Sequence, residues 1–512
     1  MSISRRHFVR AGASAALAAG ALPLLEPPIA AEAQCSPRTK LETFSLDPVK
    51  VKDLRAAVAA MKALPAKDHR SWFWQAAIHA VLPSWIASLP AGTAPTPAQQ
   101  AQFWNKCPHN PAHGSAEFLI WHRAYLYYFE RTLRAVGGFP TLSLPYWNYE
   151  NSGQRHLPKI YRDPATPGNP LYITQRTASL NAGTGQLSPG AVDDSAAMAS
   201  TIFFGTGSAN FGGFIAIGTE PSNKGLIEKS PHDTVHGAIG SPGWMGSVPT
   251  AAFDPIFWPH HTEIDHLFTR WACTGVRTWG PPSSYDAWWD QPVGWFVDAN
   301  GTAVQPKRRM FATNGPLGVC YDDDTPSCVP LQPPPAAAHT VFSVFNEFAA
   351  PRSVRLGATA GVSLSAAEPT SSAVPIAAGK LRAAGGGKLF AASSPDRLIL
   401  GLGGIEYSKT PSVAYTVYVG SADATTTGTQ RYRAGILTFF DHGHQMAEKS
   451  PTAEQLFDIT AYVRAQGGPP GKLEVTFVPF DLVVDDAGKP AAERVSDARV
   501  GSIEVREVSV RP

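Results

Sequence analysis

Between Glu228 and His266 the chain sets five histidines, two as His232-x-x-x-His236 and two side by side as His260-His261. Residues four apart share one face of an α-helix, so His232 and His236 can address a single metal ion from the same side. His261 and Asp265 repeat that spacing on a second helix and bring a third imidazole with a carboxylate one turn away. Upstream, His79, His113 and His122 offer a second set of three. Six neutral imidazoles in two sets suit borderline metals such as copper and zinc and disfavour calcium or magnesium, which take oxygen ligands. Zinc hydrolases usually mix in a carboxylate or a cysteine, so two all-histidine sites favour a copper pair.

These side chains need elements to hold them. Val51 to Leu64 carries a helical stripe of Leu54, Val58, Met61 and Leu64, ended by Pro65. Ser71 to Leu82 predicts a second helix bearing His79. The run CPHNPAHG from Cys107 to Gly114 cannot be regular helix because of its prolines. From Ser115 an aromatic-rich helix runs to Gly137-Gly138. His113 and His122 are nine residues apart, which on one helix is a rotation of about 900° and puts them on opposite faces. His113 must therefore sit in the preceding loop, folded back over the helix of His122, with His109 second in rank for that role. Residues 151–225 read as a surface loop framing a site, and 326–350 as a proline- and alanine-rich linker. From Val362 on, alternating apolar runs at 397–402, 414–419, 435–440, 472–480 and 501–508 predict a β-sandwich. The expected architecture is a mainly α catalytic domain over 34–325, a linker over 326–356 and a C-terminal β-sandwich domain over 357–512.

The 512 residues are 44% hydrophobic and 16% charged, enough for more than one domain core. Lys and Arg number 43 against 41 Asp and Glu, with no block of like charge, which argues against nucleic acid as a partner. The start, Ser4-Arg5-Arg6-His7-Phe8-Val9, followed by small and apolar residues and an Ala31-Glu32-Ala33 site, has the form of a twin-arginine signal peptide over residues 1–33. Its apolar run is too short to span a membrane, so no stable anchor is expected, and export to the periplasm or beyond is. In such a compartment Cys320 and Cys328 are the expected disulfide, Cys107 and Cys273 a further candidate pair, and Cys35 has no evident partner.

The segments RSWFWQAAIH (70–79), WHRAYLYYFE (121–130, nine residues after His113 at its histidine), EKSPHDTVH (228–236) and FDPIFWPHH (253–261) resemble the tyrosinase and polyphenol oxidase family. WWDQPVGWFVDANG (288–301) and AYTVYVG (414–420) resemble the segments that follow the catalytic domain in plant-type polyphenol oxidases, so the chain reads as a bacterial member similar to the plant type. The resemblance implies a type-3 dicopper centre in a four-helix bundle, with His79, His113 and His122 on the first copper and His232, His236 and His261 on the second. It makes His260 a supporting residue and gives Asp265 the task of orienting an imidazole. It further implies oxidation of small phenols by O2: o-diphenols to o-quinones, with Glu228 holding a water and Asp233 helping to activate it for hydroxylation of monophenols. Val248 stands at a gate position that is a bulky Phe in many plant enzymes, which predicts an open site. A copper chaperone would be the partner in loading; the oligomeric state is open. O-aminophenol oxidation, hemocyanin-like O2 binding and zinc hydrolysis are the alternatives.

The chain departs from the family at several positions. Pro83 and Pro111 stand where a cysteine forms a thioether in plant and in fungal members, whereas Cys107 lies two before His109. Glu263 and His266 replace the usual Asn and Arg, and Tyr321 remains from the family's tyrosine motif, with Arg38 as its expected partner. The C-terminal domain is implied to shield the site, with a stabilising sandwich as the alternative, and His442 and His444 are a further candidate copper pair.

Overall fold

The computed structural model describes residues 35, 37–108, 116–204, 210–213, 224–240, 243–280, 286–324, 352–377, 397–408, 411–421, 431–440, 454–491 and 493–509. His109, His113, Cys328, His442 and His444, the predicted signal peptide and most of the predicted linker lie outside them.

Five of the helices in the amino-terminal part position the site. α1 (Pro48–Ala63) starts where the Asp47 carboxylate accepts from the amides of Val49 and Lys50, and it buries Val51, Leu54, Val58 and Met61, the predicted stripe. α2 (Trp72–His79) starts on Ser71, whose hydroxyl accepts from the Trp74 amide. It ends three residues earlier than predicted, at an extended Ala80 just ahead of Pro83, which disfavours helix in the residue before it. α3 (Ala116–Gly137) runs as predicted and stops at Gly138, whose φ of +75° a side chain would resist. α4 (Thr234–Ile239) is shorter than the spacing of its histidines suggests. Pro231 forces Ser230 into an extended conformation (φ −153°, ψ 130°), so Glu228–Asp233 is an irregular turn and His232 sits in it rather than on a continuous helix. α5 (Phe257–Cys273) is one unbroken helix. No helix among the described residues is long and apolar enough to cross a membrane.

The stretch 151–225 is irregular as expected but is not surface throughout. Leu171, Leu187, Phe203, Phe204 and Phe211 are buried in the helical core, and Arg176 forms a fully buried ion pair with Asp254, 2.7 Å away. Its aromatic residues are spaced without period, so sequence periodicity does not reveal their burial.

Among the described residues, eight strands then build two sheets: β1 (Arg352–Ser363), β2 (Thr370–Pro375), β3 (Arg397–Gly403), β4 (Val413–Ser421), β5 (Tyr432–Leu437), β6 (Gln455–Asp458), β7 (Lys472–Asp481) and β8 (Arg499–Ser509). They form two antiparallel four-stranded sheets, ordered β2-β7-β4-β5 and β1-β8-β3-β6. One apolar core takes side chains from both, among them Leu400, Val417, Val475 and Ile503. β1 begins inside the stretch predicted as linker, and residues 438–440, predicted as strand, lie beyond the end of β5.

The sheets are fastened to the helical part. Gln186–Leu187 pairs with Val483–Val484, Arg433 donates to Asp193, and Ala414, Ile436, Phe440 and Leu482 pack into the helical core. The buried Lys229 ammonium donates to the Leu456 carbonyl in β6, 2.7 Å away.

The cysteines pair differently from the expectation. Cys35 and Cys320 form a disulfide, Cys273 is also disulfide-bonded, and Cys107 is not. The short 320–328 loop suggested a local bridge. Instead Arg38 bridges to Tyr321 in a parallel pairing that draws the N-terminal segment onto residues 320–322.

Burial, then the neighbouring Lys224 charge, lower the Lys229 pKa from 10.5 to about 8. A lysine whose folded pKa lies below its unfolded one binds fewer protons folded than unfolded between those two values, so stability rises with pH across that window. Against a Lys229→Met variant, the wild-type melting temperature should be offset by a constant amount below pH 8 and should climb relative to the variant from about pH 8 to 10.5. Parallel profiles over that range would show that the buried amine carries no such penalty.

Candidate metal centre

The predicted histidines converge. His232, His236, His260 and His261 present ring nitrogens within 4.8 Å of one another, and His79, Cys107 and His122 form a second group of the same tightness. The groups adjoin, with the His122 and His261 rings stacked at 4.4 Å and 16°. All six imidazoles are at most 3% exposed. α2 supplies His79, α3 His122, the irregular turn His232, α4 His236 and α5 the adjacent pair. His232 and His236 stay close despite the break, with ring centroids 4.6 Å apart.

The outer nitrogens define the proton positions. His79 Nδ1 lies 3.1 Å from the Val248 carbonyl, His122 Nδ1 2.8 Å from that of Phe118, and His236 Nδ1 2.8 Å from that of Met245. A carbonyl can only accept, so each Nδ1 carries the proton and each Nε2 keeps a lone pair. His232 Nδ1 is fixed likewise by the Asp233 carboxylate at 2.9 Å. The Met245 carbonyl is in reach because Gly240 and Gly246 pass so closely that a Cβ on Gly240 would lie 1.7 Å from the Gly246 nitrogen. Burial lowers the pKa of His122 and of His260 to about 3 and holds that of His261 well below its ordinary value, so these rings are neutral.

This donor set fits copper. Neutral imidazoles with Nδ1 committed elsewhere are the form in which histidine ligates borderline metals. His236 Nε2 and His261 Nε2 stand 3.2 Å apart, close to the roughly 3 Å between two imidazole nitrogens each about 2.0–2.1 Å from a shared ion. In the His260-His261 pair, His260 Nδ1 faces the Tyr149 hydroxyl at 3.2 Å, and its buried Nε2 has no hydrogen-bond partner.

The remaining predicted residues fall in different places. Asp233 binds His232 through Oδ1 while Oδ2 takes the Lys224 ammonium at 2.6 Å and the Thr438 hydroxyl at 3.0 Å. Glu228 is buried at the start of the same turn. Val248 is buried, and its main chain rather than its side chain holds His79. Asp265 orients no imidazole: its carboxylate accepts from Arg38 at 3.0 Å, Arg123 at 2.5 Å and the Tyr321 hydroxyl at 2.6 Å. Burial alone would raise its pKa, but Arg123 and Arg38 hold it below the ordinary carboxylate range. Arg38 also meets Tyr321, as expected, at 3.2 Å.

Two contacts carry no sequence signal. Cys107 Sγ lies 3.5 Å from His122 Nε2, inside the first group. Phe440, just beyond β5, stacks on His236 at 4.1 Å and 19° and meets the His232 ring edge-on at 5.7 Å.

Comparison with known proteins agrees with this geometry. Residues 69–212 and 193–273 match the common central domain of tyrosinase. The tyrosinase HcTyr1 of Hahella is 33% identical over 292 residues, 52% of this chain and 59% of that protein. The chloroplastic polyphenol oxidase of Malus domestica is 27% identical over 446 residues, 83% of this chain and 72% of that one. The chain thus spans less than two thirds of the Hahella protein. In fold, it is similar to latent apple tyrosinase (TM-score 0.56, 22% identity, 94% of this chain and 99% of that one) and to latent aurone synthase (TM-score 0.55, 19% identity, 94% and 91%). Residues 69–273, which match the central domain of tyrosinase and hold every described imidazole of the two groups, are where the chain is similar to the tyrosinase family.

Proposed function

We propose that the chain is an exported phenol oxidase that oxidises o-diphenols to o-quinones with O2 and also hydroxylates monophenols. The observation that carries the reading is the convergence of buried imidazoles, three of which (His79, His122 and His236) spend Nδ1 on main-chain carbonyls and so keep the Nε2 lone pair for a metal. Two copper ions, held by His79, His113 and His122 and by His232, His236 and His261, would supply the activation of O2 and the two-electron chemistry. O2 is reduced to two waters as two o-diphenols lose two electrons and two protons each. The chain's own residues hold the rings: Asp233 fixes His232, Met245 fixes His236 and the Val248 carbonyl fixes His79. Glu228 is assigned the water that takes the proton of an entering phenol; its burial four residues ahead of His232 supports this. His260 supports the cluster through Tyr149. We read the helical core as a four-helix bundle and the paired sheets as a sandwich, joined by the 326–356 linker. The twin-arginine start would send the folded, copper-loaded chain out of the cytoplasm.

We further propose that the C-terminal domain shields the centre. Phe440 covers the face of His236 on which a phenol ring would stack. The same cover suits a second reading, an oxygen carrier that keeps phenols out. One experiment separates the two: copper-loaded protein, intact and cleaved in the 326–356 linker, assayed for O2 uptake with a catechol. Uptake of one O2 per two quinones is expected after cleavage; reversible O2 binding without any turnover would establish the carrier.

A Phe440→Gly variant should raise kcat/KM of the uncleaved chain for a catechol by about tenfold, on the scale of one apolar contact, with its copper content unchanged. Equal activity of variant and wild type would remove Phe440 as the cover.

Because Val248 holds His79 by its main chain, a larger side chain there need not disturb the metal. Val248→Phe should keep two coppers and lower kcat/KM for a monophenol about tenfold more than for a catechol. An equal loss on both substrates would deny it the role of gate.

A further inference from the structure

α5 carries a second cluster of metal-capable groups outside the imidazole centre. Glu263 and His266, one turn apart on α5, and Glu150 each offer a ligand atom within 4.8 Å of the other two. Glu263 is fully buried, and neither carboxylate oxygen has a hydrogen-bond partner. His266 Nδ1 stands 3.5 Å from Glu263 Oε1, beyond ordinary hydrogen-bond length, and is itself without a hydrogen-bond partner. The buried Oε2 of Glu150 is in the same position. Four polar atoms therefore face one another with only the 3.5 Å ion pair of His266 and Glu263 between them, and a buried carboxylate left without hydrogen bonds is among the most costly arrangements a fold can keep.

Behind them, the second ring nitrogen of His266 and the second oxygen of Glu150 are tied. His266 Nε2 lies 2.9 Å from Asp323 Oδ1, and Arg270 donates to Glu150 Oε1 at 3.2 Å. An imidazole that hands one N–H to a carboxylate and turns its other nitrogen to a neighbouring pair of carboxylates has the arrangement of a carboxylate–histidine–metal unit. Glu150 is one quarter exposed, which gives the cluster a way in.

We propose that Glu150, Glu263 and His266 form a binding site for one divalent transition-metal ion, separate from the imidazole centre. One nitrogen and two carboxylates suit Zn2+ or Mn2+, and the two carboxylate charges balance the ion. The ion takes the place of a proton on His266 Nδ1 and ties the loop ending in Tyr149 and Glu150 to α5. Tyr149 meets His260, so the ion also braces the neighbour of the candidate copper ligand His261.

The test counts metals on the copper-loaded, full-length protein after equilibration with Zn2+ or with Mn2+ and desalting, each element measured separately by mass spectrometry. Wild type should hold a third equivalent, Zn or Mn, beside two of copper. Glu263→Gln and Glu150→Gln should each bind that third ion at least tenfold more weakly, with copper still at two. Glu150 lies at the rim, so its variant decides the matter if Glu263→Gln fails to fold. A wild type that saturates at two metals overturns the site, leaving a pair of carboxyl groups that share a proton. A third equivalent that persists in the folded Glu150→Gln protein places the ion elsewhere and overturns it too.

Discussion

A helix buried on every side must find a polar partner for each polar side chain it carries, and α5 carries five ionisable ones at most 4% exposed: His260, His261, Glu263, Asp265 and His266. Much of the helical part is arranged to meet that demand. Asp265 requires positive charge, and Arg38 and Arg123 both reach it. Arg38 is shared with Glu130 of α3 at 3.0 Å, and Glu130 also meets the part-exposed Arg134 at 3.2 Å, so two carboxylates and three guanidinium groups form one network a turn from His261. Removing one member of such a network leaves an uncompensated buried charge, at a cost of about 3–5 kcal/mol. The network therefore fixes α3 against α5, and with them His122 against His261. The disulfide from Cys35 to Cys320 and the pairing of Arg38 with Tyr321 have their place in this account: they hold the segment that delivers Arg38.

The imidazoles meet the same demand in another way. Burial drives His122, His260 and His261 neutral, and a neutral imidazole has one donor and one acceptor. Main-chain carbonyls take the donors of His79, His122 and His236, and a carboxylate takes that of His232. His236 Nε2 and His261 Nε2 face each other at 3.2 Å, an approach that a shared cation would relieve. The tautomer is thus set by the fold before any metal arrives, and much of the setting is done by main chain: the Val248, Phe118 and Met245 carbonyls serve whatever side chains those positions bear.

What was legible in the sequence follows from this. Histidine spacing, the long aromatic helix, the helix-to-sheet change and most strands were readable because they depend on local period. The nine-residue gap put His122 on the helix, where it is found, while its companion His113 lies outside the described residues. The break at Pro231 was missed because the His-x-x-x-His spacing tolerates a bent path as well as a straight one. Asp265 was assigned to an imidazole because it lies one turn from one, but charge outweighed proximity: two guanidinium groups bind a carboxylate far more strongly than a neutral ring does. The disulfide was misread for a similar reason, since sequence distance favours Cys328 and only the fold brings Cys35 to Cys320. Phe440 and Thr438 lie some two hundred residues from the rings and the aspartate they touch, and nothing local marks them.

Asp233 shows how closely the C-terminal part is joined to the centre. Its Oδ1 holds the His232 proton, while its Oδ2 is held by Lys224 and by Thr438, which sits two residues before Phe440. One short segment after β5 thus both covers His236 and donates to the carboxylate that orients His232. If the sheets were to move away, access would not be the only change. Asp233 would lose one of its two donors to Oδ2, its charge would be less well balanced, and its hold on the His232 proton would strengthen, making that ring more electron-rich toward whatever its Nε2 binds. A substitution at Thr438 would therefore act through Asp233 on His232, and one at Phe440 on the stacked ring of His236.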